Sequence, residues 1–174
     1  LVTLDGKSYG KNKYLPSVDL DIHLELYRNF CGVNAIAHTH SAYATAFCQN
    51  LESIPVYGTT HADHFYGSIP CTRMLTETET SSDYETNIGK SIIEKFVDID
   101  PLQVSAVLAA GHGPFTWGET LHSCVEHSLI LEELAKMAYL TKTMSSAPNV
   151  LPQHMIDKHY LRKYGKDAYF YQAK

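Results

Sequence analysis

The sequence predicts an α/β domain with a central β-sheet flanked by helices. Three observations lead there. Two apolar, partly β-branched stretches, VNAIAHTH over 33–40 and VSAVLAA over 104–110, read as buried strands. Segments whose apolar residues recur at helical spacing alternate with them along the chain. The length of 174 residues, with 44% hydrophobic and 19% charged side chains, suits one packed domain over 1–174 and excludes a disordered or low-complexity chain.

The elements follow in order. LVTL is strand-like and runs into DGKSYGKNK, a turn or exposed loop. Ser17 is placed to cap a helix over 19–30, on which Leu20, His23, Leu24, Tyr27 and Phe30 share one face. After the strand at 33–40, Ser41 caps a short helix over 42–49. Residues 54–57 and 68–73 read as further short strands, and TETETSSDYET (76–86) as a polar loop. Ile88, Ile92, Ile93 and Phe96 mark an amphipathic helix. The strand at 104–110 closes at Gly111-His112-Gly113-Pro114, and Thr116 and Trp117 continue it briefly. The longest helix then runs over about 119–144, with Leu121, Val125, Leu129 and Ala135 as buried candidates. A last helix over 153–164 precedes an aromatic tail, Tyr169, Phe170 and Tyr171, that reads as a packing anchor.

Composition removes several classes of function. A formal net charge of -5, from 14 Lys+Arg against 19 Asp+Glu, repels a phosphate backbone, so no nucleic-acid partner is expected. No stretch approaches the ~18–20 apolar residues of a membrane span, and the N-terminus lacks a signal-peptide core, so the protein reads as soluble and cytoplasmic with no membrane partner. Cys31, Cys48, Cys71 and Cys124 form no C-x-x-C pair and read as reduced, buried small hydrophobes.

The chemistry lies in the histidines, of which there are ten. Side chains two apart on a strand share a face, so His38 and His40 of AHTHS point together at a strand end. Such a pair suits a shared metal ion and equally a mutual hydrogen bond. His112 sits between two glycines that permit a sharp turn and close approach, which suits a third ligand, although a turn histidine is also commonly solvated. Asp19 offers either a carboxylate ligand or a helix-dipole partner. Three imidazoles and a carboxylate favour zinc or a similar divalent ion over magnesium or calcium. TTHADHFYGSIPCTR is dense in His61, Asp63, His64 and Tyr66, and in such a loop Asp63 fits either acid/base work or a turn. His122 and His127, and likewise His154 and His159, are five apart and read as solvated helix surface.

Taken jointly, AHTHS, TTHAD-x-FYG-x-IPCTR, GHGPF-x-WG and DKHYLRKYG, in this order, resemble the class II aldolase/adducin family. The pattern is most like its L-ribulose-5-phosphate 4-epimerase branch, since the sugar-phosphate aldolases of the family lack the TTHAD loop. The resemblance implies metal ligands at Asp19, His38, His40 and His112, with one divalent ion per subunit, usually zinc. It implies an acid/base aspartate at Asp63, an acidic loop residue at Glu85 and a late histidine at His159. The family's phosphate-gripping Ser-Ser-Asp stands here as Ser17-Val18-Asp19, which leaves Ser17 as the substrate-binding hydroxyl. Its catalytic tyrosine falls on Phe170, flanked by Tyr169 and Tyr171, and Tyr171 takes that role in this reading. A further N-terminal segment, with a phosphate loop and a lysine, is expected before Leu1, so the domain reads as N-terminally truncated and, as given, as a poor catalyst. The implied activity interconverts L-ribulose 5-phosphate and D-xylulose 5-phosphate by retro-aldol cleavage of C3–C4, in a homotetramer whose Asp63 reaches a neighbour's site. An aldolase that releases the fragments, and a non-catalytic adducin-like module, are the rival expectations.

Overall fold

A computed structural model describes residues 1–10 and 14–169. Three short strands form an antiparallel sheet in the order β1-β3-β2: β1 (Ala35–His38), β2 (Ala106–Leu108) and β3 (Pro114–Gly118). Ala35 pairs with Gly118 and His38 with Phe115 on one side of β3, and Val107 pairs with Phe115 on the other. The expected central sheet is therefore present, but its middle strand is the PFTWG segment read as a brief continuation. All five residues of β3 are buried, and Trp117 packs against Phe30 and Phe96 at 4.9 and 5.1 Å between ring centres.

Among the described residues there are seven helices: α1 (Leu20–Asn29), α2 (Ala42–Gln49), α3 (Thr59–Ala62), α4 (Glu77–Ser81), α5 (Tyr84–Lys95), α6 (Leu121–Met144) and α7 (Gln153–Tyr164). Ile22 and Leu26 of α1 and Ile88 and Ile92 of α5 join one core. The two helices meet at Gly89, where a Cβ would lie 2.7 Å from Glu25 Cβ. α6 lies against the sheet, with Thr116 Oγ1 and Ser128 Oγ 2.5 Å apart and His127 Nδ1–H donating to the Trp117 carbonyl at 2.7 Å. α2 packs against both α6 and the sheet.

Several expectations are corrected. Asp19, not Ser17, occupies the N-cap of α1 and makes no side-chain cap; Ser17 Oγ instead accepts from the Asp19 N–H at 3.3 Å. Residues 54–57 and 68–73 form only isolated bridges, Ile54 with Ile69 and Cys71 with Leu108. The polar 76–86 segment is α4 and the start of α5, because Thr76 and Glu79 close a reciprocal capping box that supplies the first turn with its missing acceptors. On α6 the buried residues are Cys124, Leu131, Leu134, Ala135 and Ala138, whereas Leu121, Val125 and Leu129 are 74%, 48% and 68% exposed. His127 is half-buried and bonded rather than solvated. Cys31 is exposed; the other three cysteines are buried, and burial pushes the Cys48 thiol up to about 12. No described helix is long and apolar enough to cross a membrane.

Candidate metal centre

β1 and β3 deliver the three histidines to one end of the sheet. His38 closes β1, His40 follows two residues later, and His112 stands in the turn that leads into β3. Their ligand nitrogens all lie within 4.8 Å of one another, with His38 Nε2 3.0 Å from the Nε2 atoms of both His40 and His112. His38 is oriented by its other nitrogen, whose Nδ1–H donates to the Pro114 carbonyl at 3.0 Å. That bond fixes the tautomer and leaves the Nε2 lone pair facing the gap. Phe115, fully buried, stacks on the His38 ring at 4.2 Å.

The glycines make this approach possible. Gly111 adopts φ +69, which an ordinary side chain tolerates poorly. A Cβ at Gly113 would lie 2.8 Å from the Thr39 carbonyl oxygen and 3.0 Å from His38 Cε1. Any larger residue there pushes β1 and its histidine away from His112.

Electrostatics favour the neutral form of two of the rings, His38 and His112. Burial, and then the neighbouring imidazoles, press the His38 and His112 pKa values below the usual range, partly opposed for His38 by the Pro114 carbonyl. The Asp19 carboxylate acts on both through space in the opposite sense, and Glu85, in the first turn of α5, acts on His112. Among the described residues, Asp19 is not one of the converging ligand atoms that the resemblance implied; these are the three imidazoles. Three converging imidazole nitrogens are a donor set suited to a borderline divalent cation such as zinc.

Asp63 gathers a second constellation. It caps the C-terminus of α3, which packs on α7. His159 Nδ1–H donates to Asp63 Oδ1 at 3.0 Å, Arg162 Nη2 donates to both carboxylate oxygens at 2.8 and 3.1 Å, and Lys163 Nζ lies 3.7 Å from Oδ2. Burial opposes ionisation of Asp63, but the bonds from Arg162 and His159 and the Lys163 charge outweigh it and hold the carboxyl below its ordinary range. His159 is therefore a partner of Asp63, not solvated surface. Arg162 and Lys163 were missed, although 159, 162 and 163 recur at the spacing of one helix face. His61, two residues before Asp63, is buried and donates from Nε2–H to the Gly67 carbonyl at 2.9 Å, which pins the loop. Among the described residues, none of the bonds of Asp63 reaches the three imidazoles. Phe170 and Tyr171 lie outside the described residues, and Tyr169 is exposed.

The profile of the family described as Class II Aldolase and Adducin N-terminal domain matches residues 1–139. The chain belongs to this family. An L-ribulose-5-phosphate 4-epimerase UlaF of Salmonella paratyphi B is 41% identical over 172 residues, which is 99% of this chain and 75% of that one. Its namesake in Salmonella paratyphi C is 42% identical over the same span. Among solved structures, an L-fuculose 1-phosphate aldolase superposes with TM-score 0.75 at 23% identity, covering 94% of this chain and 70% of its own, and shares the fold. YgbL of Escherichia coli superposes with TM-score 0.63 at 25% identity over 90% of this class II aldolase-fold chain and 70% of its own.

Proposed function

We propose that this protein is an L-ribulose-5-phosphate 4-epimerase that uses one divalent cation, held by His38, His40 and His112 with Asp19 beside them. The observation that carries the reading is the convergence of three imidazole nitrogens within 4.8 Å at the end of the sheet. The identity of about 41% over 172 residues to proteins named for that activity supports the choice of reaction.

C4 of the substrate carries no acidic proton, so inversion there requires breaking and remaking the C3–C4 bond. A cation in the imidazole cluster supplies Lewis acidity to the substrate oxygens next to the reacting carbon. The protein must then take the proton of the C4 hydroxyl as the bond breaks, let the aldehyde fragment turn, and return a proton on the other face. Asp63, kept ionised by Arg162 and bonded to His159 Nδ1–H, is the first proposed acid/base group, and its bond turns the Nε2 side of His159 outward as an acceptor. Tyr171 is the proposed second acid/base group, Glu85 tunes His112, and Ser17 donates to the phosphate. Asp63 serves the site of a neighbouring copy in this reading. An exposed apolar stripe on α6, Leu121, Val125 and Leu129 at four-residue intervals, supports a homotetrameric assembly that buries it.

The test is to incubate the zinc-loaded protein with L-ribulose 5-phosphate and follow the carbons by NMR. Formation of D-xylulose 5-phosphate without free aldehyde is expected. Accumulated aldehyde makes the protein an aldolase, and neither product leaves the adducin-like binding reading.

A further inference from the structure

We propose that Glu132 is a positioning residue for the metal centre, fixing His40 by capping the helix that begins just after it. The role rests on the reading of the three imidazoles as a cation site.

His38 is anchored by the Pro114 carbonyl and a stacked Phe115, and His112 by a glycine turn. His40 is the exposed member of the cluster, and its ring is bonded only to His38 among the described residues. Its position is set by its backbone, which lies between the end of β1 and the first turn of α2. That first turn is unusual. Ser41 sits at the N-cap, yet its hydroxyl makes no capping bond.

The missing acceptor comes from α6, some ninety residues along the chain. Glu132 Oε1 accepts from the Tyr43 N–H and Oε2 from the Ala44 N–H, both at 2.9 Å. A carboxylate shared between two amides at the positive end of a helix is well placed on hydrogen-bonding and dipole grounds alike. It also ties α2 to the helix that is itself bonded to β3 through Ser128 and His127. One rigid frame thus carries β3, α6 and the N-terminus of α2, and His40 is held at the mouth of that frame. Without Glu132, two amides lose their acceptor and the α2 start is free to shift. Partners outside the ligand shell typically contribute ~10–100-fold to metal affinity.

The experiment titrates the metal-free full chain with Co(II) and records its visible absorption, for the wild type, Glu132→Ala, Glu132→Gln and Glu52→Ala. Glu52 pairs with Lys142 and joins the other end of α2 to α6, so its variant loosens the same contact away from the site. Expected is a ~10–100-fold loss of cobalt affinity with a weakened, shifted band in Glu132→Ala. Glu132→Gln, which keeps one acceptor, is expected to lose less, and Glu52→Ala to keep the wild-type affinity and band. Folded Glu132→Ala with both unchanged overturns the proposal, as does an equal loss in Glu52→Ala. Should Glu132→Ala fail to fold, wild-type affinity and band in Glu132→Gln overturn it. A wild type that takes up no cobalt refutes the cation site itself, and Glu132's role with it.

Discussion

Replacing Gly113 by alanine tests whether the imidazole cluster depends on the close approach of β1 to the 111–113 turn. The new methyl would meet the Thr39 carbonyl at 2.8 Å and His38 Cε1 at 3.0 Å, with His40 Cδ2 at 3.5 Å. Carbons pack comfortably at ~3.5 Å or more, so the His38 ring and the strand end must retreat by about 0.5 Å. Overpacking of this kind costs ~1–3 kcal/mol. For a chain of this size that lowers Tm by roughly 2–4 °C per kcal/mol. A ligand displaced by that much leaves the geometry a site requires, so zinc affinity should fall ~10-fold or more. The assay is competition of the protein with a chromogenic chelator for zinc, beside a thermal melt. Gly58→Ala is the control, since a Cβ there meets nothing within 4 Å. If Gly113→Ala keeps both zinc affinity and Tm at wild-type values, the close approach is not what assembles the site.

Three further outcomes are expected. Asp63→Asn should lower turnover ~10²- to 10⁴-fold while leaving zinc content unchanged, because it removes the partner of His159 but no ligand; parallel kinetics and elemental analysis check this. His61 has its pKa pressed by burial from 6.5 to about 4, so the unfolded state binds its proton more readily. Its contribution is full above 6.5 and is lost as pH falls toward 4, by about 3 kcal/mol, and urea melts of His61→Gln should show a flatter decline over that window. Leu129→Asp, on the exposed stripe of α6, should reduce the mass seen by light scattering toward 19.5 kDa, whereas an unaltered mass removes that face from the assembly.

The imidazole cluster was the most legible part of the sequence. A two-residue strand period brings His38 and His40 together, and glycines on either side of His112 announce a tight turn, so both signals are local. The Asp63 cluster was less so, because Asp63 and His159 are joined only by the packing of α3 on α7. β3 went unread because its five residues begin with Pro and end with Gly, and hold a buried Thr116 that looks polar until Ser128 satisfies it. The face of α6 was misjudged for a different reason. Apolar residues occur all around this helix, with Leu131 and Leu134 buried and Leu121, Leu129 and Met144 exposed, so periodicity cannot select a side. The helix α4 could have been found, since Thr76 and Glu79 spell a capping box.

The proposed function is tested most directly by titrating the metal-free protein with zinc while measuring conversion of L-ribulose 5-phosphate to D-xylulose 5-phosphate at each addition. The rate should rise from near zero and break at about one equivalent per chain in the wild type, and stay flat in His38→Ala. Equal conversion before and after zinc, or a break that persists in His38→Ala, would contradict a catalytic cation held by these three histidines.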